Sequence, residues 1–294
     1  MHQHAVTSEN NPRERLKVAF FLNLAFTVFE LIGGIFTNSV AILSDAIHDL
    51  GDSIAIGSAL WLERVSERAR DEHYSYGYKR FSTLGALITS VILVAGSVII
   101  LYEAIPRLFA PQPVHATGMM WMAILGVLFN GLAVLRLKGG VESLNNRAVM
   151  LHLLEDVLGW LAVLVGSLVI RYTEWYWIDP LLSVMVSCFI LYNVYNNLKS
   201  IMQVFLQSVP KDFDVQKLKA GLLNINGVIG VHDVHTWSMD GRYHILSLHL
   251  VVSATSERDD LIRIRKEATE MTHRSGIDHP TIALEFENET CVRC

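Results

Sequence analysis

Four titratable side chains interrupt an otherwise apolar segment between about Ser39 and Leu62: Asp45, His48, Asp49 and Asp52. The segment is long enough to cross a bilayer as a helix, which takes roughly 20 mostly apolar residues. The spacing i, i+3, i+4 and i+7 places all four on one helical face. Because one charge at the membrane centre costs about 2.5–3.5 kcal/mol, this face predicts a functional site.

A second apolar segment, VMLHLLEDVLGW, repeats the pattern with His152 and Asp156 four residues apart. Two such His-x-x-x-Asp pairs can supply four ligands to one divalent ion, the other pair being His48 and Asp52. Glu155 points about 100° away from Asp156 on a helix, so we do not expect it to be a ligand.

Two imidazoles and two carboxylates suit Zn²⁺, which favours four tetrahedral nitrogen, sulfur or oxygen ligands. They suit Co²⁺, Cd²⁺, Fe²⁺ and Mn²⁺ less distinctively, and Mg²⁺ and Ca²⁺ prefer all-oxygen sites. The same groups bind protons in the absence of metal, so metal binding must release protons. A site that holds either cation and opens alternately to each side predicts efflux of the metal driven by an inward proton gradient.

Other interpretations stay open at this point. Asp45 and Asp49 could make interhelical hydrogen bonds, orient a ligand or line a water-filled approach, and Glu30 and Asn130 could serve packing or support a ligand from behind. A membrane metallohydrolase would need an open zinc position and a base, for which Glu155 is the obvious candidate. A metal sensor that signals through a soluble domain would not explain the intramembrane charges.

The apolar residues concentrate before about Leu198 and the charges after it, which indicates a membrane domain followed by a soluble one. We expect a polar tail at 1–16, in which His2 and His4 are incidental, a transport domain at 17–200 and a soluble domain at 208–290. The net charge of −5 suggests no nucleic-acid partner, and no motif calls for an organic cofactor. Three cysteines form no disulfide framework, and we see no cleaved signal peptide.

Six membrane spans are predicted, at about 17–37, 39–62, 81–109, 116–136, 149–171 and 177–198. Lys and Arg concentrate before the first span, in the second and fourth connections and after the sixth span. By the positive-inside rule, both termini face the cytoplasm.

The chain after Pro210 has the pattern of a small α+β domain with the order αββαβ. Met239-Asp240-Gly241-Arg242 reads as a hairpin turn between the first two strands. We expect a helix-backed antiparallel sheet that a second copy of the chain stabilises.

These motifs resemble the cation diffusion facilitator family, which includes bacterial zinc exporters and eukaryotic ZnT transporters. The resemblance rests on TNSVAILSDAIHDLGDS, YSYGYKR, NNRAVMLHLLEDVLG, the Asp179-Pro180 pair and the αββαβ pattern. It implies six transmembrane helices, a cytoplasmic ferredoxin-like domain and a homodimer that exchanges metal for protons in a membrane, which we expect to be the bacterial inner membrane. The family's site positions fall on His48, Asp52, His152 and Asp156, and His48 resembles the zinc-selective branch.

The resemblance also implies metal sites outside the membrane. A cytoplasmic site would fall on His232, His249 and Glu285, with Asp233 and His235 as further ligands or as a hydrogen-bonded strand start. Glu285 and Glu287 stand where one bacterial type of relative has His and Asp. In the second connection, Asp71 and His73 are present, but Tyr74 and Tyr78 replace expected histidines, so we expect no metal there. We expect Cys291 and Cys294 to form a frayed tail, with metal capture as the alternative.

Overall fold

The computed structural model describes the backbone of residues 12–66, 68–137 and 144–289. Most of their side chains are described too, except those of 12–19, 144–153 and scattered positions that include Glu155. The expectations for His2, His4, Cys291 and Cys294 fall outside the described residues.

Within this part of the chain, six long helices precede a small α+β domain. The helices are α1 (Pro12–Thr37), α2 (Val40–Ser66), α3 (Arg80–Phe109), α4 (Ala116–Leu137), α5 (Leu144–Thr173) and α6 (Ile178–Phe205). The domain contains α7 (Val215–Leu223), β1 (Val228–Ser238), β2 (His244–Val252), α8 (Arg258–Arg274) and β3 (His279–Phe286). The α2–α3 connection, Arg64–Leu84, groups with this domain, whereas Gly85–Leu198 groups with α1 and most of α2.

Four helices have described stretches that are long and apolar enough to cross a membrane: Phe20–Thr37, Arg80–Phe109, Asp156–Thr173 and Ile178–Phe205. The described apolar stretch of α4, Ala116–Leu132, is shorter. Helix α2 is long enough, but its acidic face lowers its apolar character. The structure thus supports four of the six predicted spans, and six stays a prediction.

The start of α2 is fixed by a side chain from α6. The first N–H groups of any helix lack partners within the helix. Here the Asp179 carboxylate accepts hydrogen bonds from the backbone N–H of Val40 (2.8 Å) and Ala41 (3.3 Å) and from the Ser39 hydroxyl (2.5 Å). Because Asp179 is fully buried, α6 holds the helix that carries the acidic face at a defined point.

Helices α4 and α5 approach each other closely because Gly126 leaves room for the buried ring of Trp160. A Cβ atom at Gly126 would lie 2.2 Å from that ring. Trp160 packs in one apolar cluster with Ile42 of α2 and Met119 of α4. This cluster joins α2, α4 and α5 in one core.

In the C-terminal domain, side chains alternate between the two faces of the sheet. Leu246, Leu248 and Leu250 of β2 are fully buried against α7 and α8, while Ser247 and His249 point to the opposite face. Helix α7 begins at Asp214, whose carboxylate accepts from the N–H groups of Gln216 and Lys217. The expected order αββαβ and the hairpin turn are present, with Gly241 at φ +89°.

The expectation of an antiparallel sheet was wrong for one pair of strands. Strands β1 and β2 are antiparallel, but β2 and β3 run parallel, with Val251 opposite Glu285. The reason is the connection: α8 crosses over between β2 and β3 and returns the chain to the end where β2 began. A parallel pair requires such a crossover.

Replacing Asp179 by Asn should lower stability, because the charge that faces the α2 N–H groups is lost. Loss of a helix cap costs about 0.5–2 kcal/mol. The expected result is a lower midpoint of thermal unfolding for the detergent-solubilised protein. Glu103→Gln, which breaks an exposed ion pair with Arg107, is the control and should change it less. Equal midpoints for Asp179→Asn and wild type would contradict this role.

Candidate metal sites

The four titratable residues singled out in α2 lie within one continuous helix, as the sequence predicts. His48 Nε2 lies 3.9 Å from Asp52 Oδ2, one turn along the helix. Both side chains are partly buried, at 20% and 26% exposure. Asp49 is nearly buried and Asp45 partly so.

The acidic face of α2 meets α5. Asp45 Oδ1 lies 3.9 Å from the place that a Cβ atom of Gly159 would occupy. Gly159 follows Asp156 by three residues and so shares its helical face. The carboxylate of Asp156 is close enough to those of Asp45 and Asp49 to repel them electrostatically. Position 152 lies in α5 one turn before Asp156, but the side chain of His152 is outside the described residues.

Helix α1 adds two polar groups that sequence reasoning assigned to packing or left without a role. Asn23 Nδ2 donates to the backbone carbonyl of Asp49 (3.0 Å) and to Ser53 Oγ (3.1 Å), which fixes α1 against the acidic face. Glu30 is fully buried and interacts with the Asp49 carboxylate. The sequence signal for this interaction was the position of Glu30 in the middle of an apolar segment.

Five carboxylates therefore share one region: Glu30, Asp45, Asp49, Asp52 and Asp156. Mutual repulsion and poor solvation both disfavour full ionisation of such a group unless a cation balances it. Chemically, the region can bind a divalent cation or protons.

A second cluster lies on the open face of the C-terminal sheet. His232 of β1 is directly opposite His249 of β2, and Glu285 of β3 lies beside them. His232 Nε2 is 2.9 Å from Glu285 Oε2, and His249 Nδ1 is 2.5 Å from Glu285 Oε1. One ligand atom from each residue lies within 4.8 Å of the others, an arrangement that can hold a metal ion.

Asp233 and His235 adjoin this cluster. His235 Nε2 and Asp233 Oδ1 form a 2.7 Å hydrogen bond, and Asp233 Oδ2 lies 3.7 Å from His249 Nε2. The hydrogen bond with His235 is the main cause that holds the pKa of Asp233 below its usual value. Glu287 lies apart from the cluster's contacts and accepts instead from the Ala254 N–H (3.2 Å).

The α2–α3 connection uses its polar groups to build a turn. Asp71 accepts from the backbone N–H of His73 and Tyr74 and from the Tyr78 hydroxyl (2.7 Å). The Tyr78 hydrogen bond is the main cause of the lowered pKa of Asp71. The Asp71 carboxylate thus has a hydrogen-bond partner at each oxygen.

The same connection packs against the C-terminal domain. The Tyr76 ring meets those of Trp237 and His279 edge to face, and Lys79 Nζ lies 4.4 Å from the centre of the Tyr243 ring. These contacts were not expected from the sequence, because they join residues that are distant along the chain. The connection and the C-terminal domain therefore form one packed unit.

Two family models cover almost the whole chain. The cation efflux transmembrane domain matches residues 16–206, and the cytoplasmic domain of cation efflux proteins matches 210–285. The latter range contains the whole cluster of His232, His249 and Glu285.

Curated relatives match over most of their length. The chain is 36% identical to the zinc transporter ZitB of Pectobacterium atrosepticum, over 97% of this chain and 89% of the relative. It is 34% identical to the cadmium, cobalt and zinc/H⁺-K⁺ antiporter of Bacillus subtilis (97% and 92%). It is 32% identical to the metal cation efflux system protein CzcD of Cupriavidus metallidurans (97% and 89%).

The matches to both domains, together with the apolar helices, remove the metallohydrolase interpretation. The chain belongs to the cation efflux, or cation diffusion facilitator, family, and is an integral membrane transporter of metal cations rather than an enzyme.

Proposed function

We propose that the protein exports Zn²⁺ from the cytoplasm in exchange for protons. The metal binds in the membrane between His48 and Asp52 of α2 and His152 and Asp156 of α5. The observation that carries the proposal is the contact of the acidic face of α2 with the Asp156 face of α5, marked by Asp45 against Gly159.

The chemistry of the region supports exchange. A divalent cation balances two carboxylates, so the loaded site is nearly neutral in surroundings of low dielectric constant. After the metal leaves, protons must neutralise the same carboxylates and imidazoles. Metal and protons thus bind alternately to the same groups, and a proton gradient can drive the metal against its own gradient.

The names of the relatives favour the same cargo. The Pectobacterium protein is named for zinc, and the Bacillus protein is named for cadmium, cobalt and zinc with exchange against H⁺ and K⁺. For this chain we assign Zn²⁺, because two imidazole nitrogens and two carboxylate oxygens match its tetrahedral preference.

The orientation follows from charge and from packing. Basic residues before α1, between α2 and α3 and after α6 favour a cytoplasmic position for those segments. The contact of Tyr76 with Trp237 and His279 supports the same side for the C-terminal domain. We therefore propose six spans within 17–200, both termini in the cytoplasm, a cytoplasmic domain at 208–290 and residence in the bacterial inner membrane.

The cytoplasmic domain binds a further metal ion in this proposal and joins two copies of the chain. His232, His249 and Glu285 supply three ligands on a sheet face that α7 and α8 leave open. The matched cytoplasmic domain of the family supports a homodimer.

Removing one intramembrane carboxylate should abolish exchange, because the remaining groups can neither complete the metal's coordination nor balance its charge. Asp52→Ala and Asp156→Ala are compared with wild type in proteoliposomes that hold a zinc dye and experience a pH gradient. Glu103→Gln, on the exposed part of α3, is the matched control and should transport normally. Zinc movement that persists in both alanine variants would remove these residues from the mechanism.

Changing His48→Asp should relax selectivity toward Cd²⁺, because a carboxylate can bind a larger ion through two oxygens, whereas an imidazole offers one nitrogen in a fixed direction. The measured quantity is the ratio of Cd²⁺ to Zn²⁺ transport in the same vesicles. An unchanged ratio would show that this position does not set the choice of metal.

Changing Glu285→Gln should weaken metal binding by the cytoplasmic domain, because the only carboxylate among the three ligands is lost. Full-length protein that carries Asp52→Ala and Asp156→Ala isolates this site in a calorimetric Zn²⁺ titration. Glu287→Gln is the control: it also lies near the end of β3 but contacts Ser253 and Ala254. Equal affinity in the Glu285 and Glu287 variants would contradict the assignment.

A further inference from the structure

Two side chains of the α2–α3 connection hold it against one end of the C-terminal sheet. The centre of the Tyr76 ring lies 6.4 Å from that of Trp237 and 5.7 Å from that of His279, and both pairs meet edge to face. Ring pairs in this geometry attract each other beyond the apolar area that they bury. Lys79, three residues later, adds a cation–π contact with the Tyr243 ring at 4.4 Å. The connection is therefore bound to this end of the domain at two points.

The Tyr76 contact lies on the sheet face that α7 and α8 leave open. Trp237 of β1 pairs with Ile245 of β2, and Ile245 pairs with His279 of β3, so the three side chains share one face. Ile245 is 1% exposed, yet it is not part of the core that packs against α7 and α8. Because Tyr76 contacts the residues on either side of Ile245, the connection contributes to this burial.

Internal contacts give the connection a defined shape. The Asp71 carboxylate accepts hydrogen bonds from the Tyr78 hydroxyl and the Tyr74 N–H, and the two tyrosine rings lie 4.3 Å apart. Gly77 has a φ of +77°, and a Cβ atom there would lie 3.1 Å from the backbone oxygen of Arg68. A movement of the C-terminal domain is therefore passed on through the connection rather than absorbed by it.

The last residues of α2 and the first residues of α3 fall within Arg64–Leu84, which forms one compact unit with the C-terminal domain. We propose that Tyr76 is a positioning residue for metal exchange: by binding the connection to the sheet, it makes these helix ends move with the C-terminal domain as one body. Tyr76 acts through α2, which carries His48 and Asp52. This inference rests on the exchange proposed above.

Removing the ring should slow transport without weakening metal binding, because the proposed ligands lie elsewhere in α2 and α5. Tyr76→Ala should lower the maximal rate of zinc transport in proteoliposomes by roughly 5-fold or more, the change that corresponds to two lost aromatic contacts. The Kd of the detergent-solubilised protein for Zn²⁺ should stay the same. Tyr76→Phe keeps the ring and should transport like wild type. Tyr102→Ala, which removes an exposed ring of α3, is the matched control and should do so too.

A covalent bridge tests whether the contact persists while the protein transports. The three native cysteines, Cys188, Cys291 and Cys294, are first replaced by Ser. Tyr76→Cys and His279→Cys are then combined, and the two thiols are joined by a short bismaleimide. Transport should be slow before bridging and should recover afterwards, because the bridge replaces the lost ring contact. A bridge that blocks transport, or one that leaves the slow rate unchanged, would overturn the inference.

The exchange proposal and this inference fail in different experiments. If zinc movement persists in Asp52→Ala and Asp156→Ala, the intramembrane exchange site fails. If those variants are inactive while Tyr76→Ala transports at the wild-type rate, only the role of Tyr76 fails. A raised Kd for Zn²⁺ in Tyr76→Ala would also overturn that role, because it would place the effect on metal binding rather than on movement.

Discussion

Repulsion among carboxylates inside the membrane unit is the constraint on which the rest of this protein depends. Glu30, Asp45, Asp49, Asp52 and Asp156 come from three helices, and Asp45, Asp49 and Asp156 repel one another. Such a group is stable only when protons or a metal cation neutralise it. This requirement supports the proposed exchange of a metal cation for protons.

The helices are arranged so that this repulsion does not separate them. Asp179 of α6 holds the N-terminus of α2, and Asn23 of α1 binds α2 beside Asp49. Trp160 packs into Gly126 and joins α5 to α4 within the core that also contains the start of α2. Contacts from α1, α5 and α6 thus fix the position of α2, while the His48 and Asp52 side chains stay partly exposed.

The C-terminal domain also brings imidazole and carboxylate groups together, but on a β-sheet rather than between helices. The groups of its proposed metal site lie on a sheet face, where the antiparallel strands β1 and β2 bring His232 and His249 together and the parallel strand β3 adds Glu285. The β1 bulge adds Asp233, which no regular strand would direct there. The α2–α3 connection packs against this domain through Tyr76 and Lys79.

Periodicity alone was enough to predict the acidic face of α2, because residues four apart on a helix share a side whatever surrounds them. The αββαβ order and the β1–β2 turn could also be predicted, because alternating apolar residues and turn residues are signals that lie within a short stretch of sequence. Sequence reasoning could not predict the approach of β3 parallel to β2, the capping of α2 by Asp179, the interaction of Glu30 with Asp49 or the bulge that directs Asp233 toward His249. Each depends on residues far apart in the chain, which only the packing of whole elements brings together.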